Sequence, residues 1–358
     1  MKINLLKYKY LHKIFHWEYW PSSLFYIPNL PFGIFLALKA KNLTFFSAAN
    51  PGIKSSGNGC ESKFQTLALI PKEFKPKSIF HGKKDNFERT IKKIQAENIQ
   101  FPVIAKPDIG FRGLLVEKVH SEIELKNYLQ KFEIDFIIQE YIDYKHECGI
   151  FYTRNPTQQN GTISSVTLKK FLTITGDGIS TLKNLVLSDK RAFLYKDLIF
   201  ENHKKLLDSI LEKNKEFQLS VIGNHCKGTQ FFNGNHLITK ELTTTFNDLN
   251  AKIPGWFYGR IDIKYDDFDA LKKGKNFKIL EINGIISEPT HIYDTQKSSY
   301  FGALKSIRNH WKILFEISTT NHNIYKIPYK NSFHVWKEIR ELKKYSKKIS
   351  ALHAVKQS

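Results

Sequence analysis

The sequence predicts an α+β protein in which short strands pair through hairpins and helices fill the intervals. Three stretches predict it. Residues 256–264 and 277–282 are apolar strands around a polar, charged run at 266–276, which is the pattern of a hairpin. Residues 101–105 form an apolar strand that passes through Asp108-Ile109-Gly110-Phe111-Arg112-Gly113 into a second strand at 114–119. Residues 121–132 read as a helix opened by a capping box, Ser121 with Glu124.

A chain of 358 residues can bury two or three packed units. Hydrophobic residues make 41% and charged residues 25%, so disorder is excluded over most of the length. The net charge of +21 raises a nucleic-acid reading. Lysine outnumbers arginine 48 to 7, however, and base readout and stacking lean on arginine. No specific nucleic-acid partner is therefore expected, although affinity for acidic surfaces is. Cys60, Cys148 and Cys226 lie far apart without metal-ligand spacing, so a disulfide framework or zinc site is not expected and a reducing compartment fits. Lys7, Lys9, His12, Lys13 and His16 interrupt any apolar leader. The most apolar run, 24–38, is shorter than a membrane span and is broken by Pro28 and Pro31. A cytoplasmic protein is expected, with peripheral attachment to a membrane surface left open.

Residues 1–60 form an aromatic-rich region, with Trp17, Trp20, Phe25, Tyr26, Phe45 and Phe46 among prolines. Two readings fit. The rings can cover an apolar face of the main domain, or they can sit with flanking lysines at a headgroup boundary. The first is preferred. A Gly/Ser/Asn-rich loop follows to Gly59, and helical spacing covers 85–97. Strands are expected at 136–141, 148–154 and 162–174, the last carrying Lys169 and Lys170. Gly176-Asp177-Gly178 turns into a helix near Ser180, and 190–217 read as largely helical. A strand at 219–223 precedes Asn224-His225-Cys226-Lys227-Gly228-Thr229, and a helix at 240–251 leads to the hairpin. Residues 300–315 are expected to be helical. Residues 333–352 form a basic amphipathic helix, with Val335, Ile339, Leu342, Tyr345, Ile349 and Leu352 on one stripe.

The hairpin carries the sharpest chemistry. Arg260 and Asp262 alternate on one strand, as Glu281 and Asn283 do on the other, and side chains two apart share a face. If the strands pair, Asp262, Glu281 and Asn283 converge as hard oxygen ligands suited to magnesium or manganese held against phosphates. An ordinary hairpin with solvated acids would read the same. The loop at 108–113, entered from Lys106, can cover phosphates with backbone N–H groups; a plain turn would also fit.

The order of these pieces resembles the ATP-grasp superfamily from about Lys63 to Pro289, with D-alanine–D-alanine ligases and glutathione synthetases as the nearest likeness. That resemblance implies two α+β subdomains with mainly antiparallel sheets clasping ATP, preceded by a reduced N-terminal region. It implies an N-terminal region at 1–60, an ATP-grasp domain at 61–316 with a nucleotide lid at about 100–180, and a basic helical tail at 317–358. Lys63, after Ser62, matches the lysine that reaches the α-phosphate. Lys106 matches the lysine before the phosphate-covering loop, in which Arg112 and Gly113 fall. Glu140, Tyr141 and Ile142 match the hinge that reads adenine, and Glu147 matches the acid on the ribose hydroxyls. Lys169, with Lys170 as its rival, matches a further phosphate lysine. Asn224 with Gly228 resembles a loop near the γ-phosphate. Asp262, Glu281 and Asn283 fall on the metal ligands, and Arg260 on the arginine that faces the transferring phosphoryl group.

What the resemblance implies is an enzyme using ATP with magnesium or manganese to join a small-molecule carboxylate to an amine through an acylphosphate. Arg260 and Lys169 are its expected catalytic residues, and His225, Asn50 and Glu288 its expected substrate contacts. Two further readings stay open: a phosphotransferase acting on a non-carboxylate, and a basic membrane-surface or nucleic-acid-binding protein without catalysis. Three features depart from the family. Some 60 residues precede Lys63 in place of a larger domain. Phe111-Arg112 does not resemble the serine-rich loop of dipeptide ligases. Gly284-Ile285-Ile286-Ser287-Glu288 replaces the short acceptor-holding segment. The ATP half of the resemblance therefore carries over better than the substrate half.

Overall fold

Strand pairing is antiparallel throughout the described residues, and it divides the chain into two working sheets and one small ribbon. The computed structural model describes residues 11–111, 113–220 and 223–357, leaving aside the side chains of Cys226 and of residues 355–357. Arg112 thus lies outside the described residues. The first sheet holds β1 (Ser78–His81), β2 (Val103–Pro107), β3 (Glu117–Val119) and β4 (Phe136–Glu140), in the order β1-β4-β2-β3. β5 (His146–Thr153) and β6 (Thr162–Lys170) begin the second sheet. β7 (Thr173–Thr175) and β8 (Glu216–Gln218) form the ribbon. β9 (Gln230–Asn233), β10 (Tyr258–Tyr265) and β11 (Phe277–Asn283) complete the second sheet, in the order β11-β10-β5-β6-β9.

The longer helices around these sheets include α1 (Leu30–Lys39), α2 (Lys63–Ala68), α3 (Phe87–Ala96), α4 (Glu122–Lys131), α5 (Lys240–Ala251), α6 (Tyr300–Asn323) and α7 (Ser332–Gln357), with α1 lying on α6. Local chemistry starts them. Ser62 caps α2 by accepting the Gln65 N–H at 3.1 Å, and Thr239 caps α5 by accepting the Leu242 N–H at 3.2 Å. At α4, Ser121 accepts the Glu124 N–H, while Glu124 reaches back to His120 N–H rather than to Ser121. α3 and α4 bury Ile94, Leu125 and Leu129 with Val103, Ala105, Phe136 and Ile138 of the first sheet. α5 buries Leu242, Phe246 and Leu249 with Cys148, Ile150, Ile261 and Ile263 of the second. Each fully buried side chain of this kind contributes roughly 1.5–3 kcal/mol before entropy is charged against it.

Several boundaries differ from the sequence reading. The first sheet spans residues 78–140, and within the stretch expected as a lid, about 100–180, β5 and β6 pair with β10 and β5 respectively in the second sheet. The expected strand at 162–174 is two strands in different sheets. Leu172 and Ile174 turn into a separate small core with Leu182 and Val186, so the apolar run continues while its partner changes. The stretch 190–217 breaks into short helices and ends in β8, while the strand expected at 219–223 falls partly on residues 221–222, outside the described residues. α6 runs on to Asn323 because Leu314, Phe315 and Ile317 keep burying. α7 is packed on the first sheet: Ile349 is buried in its core, while Ile339 of the same stripe is exposed. In the N-terminal region Phe25 is buried among Trp17, Trp20 and Tyr26 against Ile292, Ala303 and Ile307.

Candidate active site

Strand alternation places the site on the face of the second sheet opposite α5. Ile261, Ile263 and Tyr265 of β10 face the α5 core, so Arg260, Asp262 and Lys264 face the other way. Glu147 on β5 pairs with Lys169 on β6 and with Lys264 on β10. Gly149 stands opposite Asp262, where a Cβ would come within 3.0 Å of Arg260 Cδ and 3.4 Å of Asp262 Oδ1. A bare backbone there leaves room for the arginine to fold over the aspartate.

β11 reaches the same face through a bulge. Asp262 pairs with Glu281 but Ile263 pairs with Ile279, so Leu280 is the extra residue. The Leu280 carbonyl accepts Lys106 Nζ at 3.2 Å, and Gln139 Oε1 accepts the same ammonium at 3.0 Å. Lys106 on β2 thereby ties the first sheet to the second sheet.

The charged groups form one network. Lys169 Nζ donates to Glu147 Oε1 at 2.6 Å and to Asp262 Oδ1 at 2.9 Å. Arg260 donates to Asp262 from Nε and Nη2, the latter at 3.0 Å, and its Nη1 donates to the Glu288 carbonyl at 3.2 Å. Asn283 Nδ2 bridges Asp262 Oδ2 and Glu281 Oε1, each at 3.1 Å. Lys63, at the start of α2, pairs with Glu281. Burial would raise the Asp262 pKa, but Arg260 and Lys169 hold its carboxyl well below the usual range. Burial would lower Lys169, and Asp262 and Glu147 hold it above its ordinary value instead. For Lys106 burial wins over the pull of Glu281, and its pKa is pushed down to about 8.

Around this network lies a cleft of about 740 Å³. Lys63, Lys106, Gly113, Glu140, Tyr141, Ile142, Glu147, Lys169, Asn224, Arg260, Asp262, Glu281 and Asn283 all line it. Lys169 faces the cleft, whereas Lys170 is exposed on the opposite side of its strand. Ile104, Leu114, Val116 and Leu280 give one end an apolar lining next to Glu140–Ile142. His225 lines the cleft with its Nε2 3.0 Å from Glu18 Oε2, and its ring stacks near Tyr293. Glu288 also lines it, its carboxylate accepting the hydroxyls of Tyr26 and Tyr293. Asn50 corrects the sequence reading. It is fully buried, its Nδ2 donates to Ser56 and Tyr258 carbonyls, and its Oδ1 accepts from Phe257 and Tyr258 N–H. Its amide group is spent on holding the 47–57 loop to β10.

Two lysines were not anticipated. Lys264 Nζ donates to the Ile142 carbonyl at 3.0 Å and the Tyr144 carbonyl at 3.3 Å, and Lys118 Nζ lies 3.6 Å from the Tyr141 ring centre. Both fix the Tyr141 segment. Lys264 was within reach of sequence reasoning, since it continues the alternation of Arg260 and Asp262.

Among the described residues no three His, Cys, Asp or Glu side chains group as a metal site. The converging set is instead two carboxylates and an amide, with Asp262 facing Glu281 across the ladder and Asn283 between them. Those are hard oxygen donors, and half a turn of the Asn283 amide brings its Oδ1 where Nδ2 stands. The residues present fit a divalent cation.

Residues 60–153 match the family model of the RimK-like ATP-grasp domain. No curated protein sequence matches the chain. Among solved structures, a bifunctional glutathione synthetase from Pasteurella multocida is 15% identical with a TM-score of 0.37, covering 71% of this chain and 35% of its own. The VanG D-Ala:D-Ser ligase from Enterococcus faecalis is 15% identical with a TM-score of 0.41, covering 72% and 62%. A D-alanine–D-alanine ligase from Bacillus anthracis complexed with ATP is 15% identical with a TM-score of 0.40, covering 74% and 67%. The chain thus spans about a third of the synthetase and less than two thirds of the VanG ligase. A RimK-like ATP-grasp domain is thus recognised over residues 60–153, set among two antiparallel sheets that close on a cation-lined cleft.

Proposed function

We propose that the chain is an ATP-dependent ligase that joins a carboxylate to an amine. One observation carries this reading. Lys63, Lys106, Lys169 and Arg260 converge on a cleft whose floor is the Asp262, Glu281 and Asn283 constellation. Lys63, Lys106 and Lys169 hold the triphosphate, Glu140–Ile142 flank the adenine, and Glu147 takes the ribose hydroxyls. Asp262, Glu281 and Asn283 would hold magnesium, whose chemistry is to neutralise charge on the phosphate oxygens. Gly113 and the loop around it cover the phosphates, and Asn224 borders the γ-phosphate.

The reaction balances as two transfers. A substrate carboxylate oxygen bonds to the γ-phosphorus as the bond to the ADP oxygen breaks. The amine nitrogen then attacks the acylphosphate carbonyl, phosphate leaves and the amine proton is lost. Arg260, fixed by Asp262 and the Glu288 carbonyl, faces the charge that develops.

A second cavity of about 510 Å³ opens off the same place and shares Lys63, Arg260, Asn283 and Glu288 with the cleft. Tyr26, Trp311 and Ile307 give it apolar walls, and Glu61 and Glu288 give it carboxylates. Among the described residues its lining has no lysine or arginine besides Lys63 and Arg260. Those walls suit an amine with an apolar or aromatic body.

The test supplies ATP, magnesium and a panel of carboxylic acids, with hydroxylamine as a small substitute amine. We expect a hydroxamate to form in step with ADP, and Arg260→Ala to lose both. ADP release with a stable phosphorylated product and no hydroxamate would replace ligation by phosphotransfer. A chain that binds no ATP would remove the catalytic reading altogether.

A further inference from the structure

The N-terminal region has a second apolar face that nothing in the described chain covers. Ser23–Tyr26, Ile27–Asn29 and Leu30–Lys39 make one nearly continuous helical run. Phe25, Asn29, Leu36 and Ala37 form its inner stripe and are buried toward α6. Gly33 lets the run lie flat, since a Cβ there would stand 3.0 Å from the Trp311 ring. Leu24, Ile27, Leu30, Ile34, Phe35 and Leu38 form the outer stripe and are 42% to 69% exposed. Scattered apolar side chains on a surface need no explanation, but six in a row at helical spacing do. Phe301 extends the patch at the Leu24 end, where the Tyr300 hydroxyl donates to the Leu24 carbonyl.

Charge identifies the occupant. Residues 19–60 contain Lys39, Lys41 and Lys54 and no Asp or Glu. The acid just before them, Glu18, is buried and engaged by His225 and Arg191. The outer half of α6 adds Lys305, Arg308 and Lys312, with Glu316 paired to Lys312 at 3.9 Å. We propose that this stripe docks the protein on the surface of an anionic lipid bilayer. The run lies in the interface plane, its inner stripe stays on α6, and Lys39 and Lys41 meet the headgroups. No helix among the described residues is long and apolar enough to cross a membrane. A second copy of the chain would match the apolar stripe but would bring two lysine rims together.

The test is vesicle flotation of the full chain. We expect it to float with phosphatidylcholine vesicles containing phosphatidylglycerol, about tenfold less with phosphatidylcholine alone, and less again at high salt. Ile34→Gln with Leu38→Gln, both exposed, should cut binding by about tenfold or more with unchanged circular dichroism. Lys39→Gln with Lys41→Gln should abolish the preference for the anionic lipid. Flotation with neither vesicle, or a glutamine pair that floats as well as the parent, overturns the proposal. So does a dimer in sedimentation that the glutamine pair dissociates while no flotation is seen, which would assign the face to self-association. ATP turnover is not a readout here, so the outcome is independent of the ligase reading.

Discussion

Replacing Lys169 by methionine keeps an unbranched side chain one atom shorter and removes the charge from between two carboxylates. The ammonium is 2.6 Å from Glu147 and 2.9 Å from Asp262, and all three side chains are 6% exposed. At an effective dielectric of about 20, each contact is worth about 6 kcal/mol of attraction before desolvation. Desolvation cancels much of that while the pair is intact, but not when one partner is removed. Asp262 keeps Arg260 as a counter-ion, whereas Glu147 is left buried beside a thioether. The net loss is therefore about 3–5 kcal/mol, the range for breaking a buried pair from one side. Urea unfolding at pH 7 measures it.

The pH dependence follows by linkage. Asp262 has a folded pKa depressed below its unfolded value of about 3.9, so its stabilisation is present above that pH and is lost as pH falls through the folded pKa. Without Lys169 the depression is smaller, so parent and variant should converge in stability as pH falls below about 4. Lys169 itself, with a raised folded pKa, contributes fully below its unfolded value of about 10.4. A difference under about 1 kcal/mol at pH 7, or one that does not shrink as pH falls from about 4 to about 2, refutes the idea that Lys169 neutralises buried carboxylates.

Two other outcomes follow from single residues. Lys106 loses its proton near pH 8, so nucleotide affinity measured by calorimetry should fall by about tenfold per pH unit above that, and Lys106→Arg, which stays charged, should flatten the slope. Gly259→Ala places a Cβ 1.8 Å from the Asn283 carbonyl oxygen, so β10 and β11 must part there; we expect about 1–3 kcal/mol of lost stability by urea unfolding together with weakened nucleotide binding.

The constellation was legible because strand alternation and order in the chain are local properties. Parity could pair Arg260 with Asp262 and Glu281 with Asn283, each within its own strand, though not the bulge that turns the second pair to the cleft, and caps at Ser62, Ser121 and Thr239 fixed helix starts. What stayed hidden depends on distant partners. The tyrosine grip on Glu288 joins residues far apart in sequence, Tyr26 and Tyr293. Asn50 looks like a site residue in a glycine-rich loop, and only its four backbone partners show it to be a brace. The change of sheet after Lys170 leaves no mark, because both strands need the same apolar residues.

The extra residue in β11 can be read as a change of phase. Phe277 and Ile279 point to the core, and in an unbroken strand Glu281 and Asn283 would point there too. Leu280 shifts the alternation by one step, so Ile282 takes over the core side and the acid and amide swing to the cleft. One strand therefore answers to two masters. Its first half is constrained by what α5 will pack against, and its second half by what the cleft must hold. Substitutions that retune the floor at 281 and 283 leave the apolar positions untouched, while the ladder to β10 keeps both halves on the same rigid backbone.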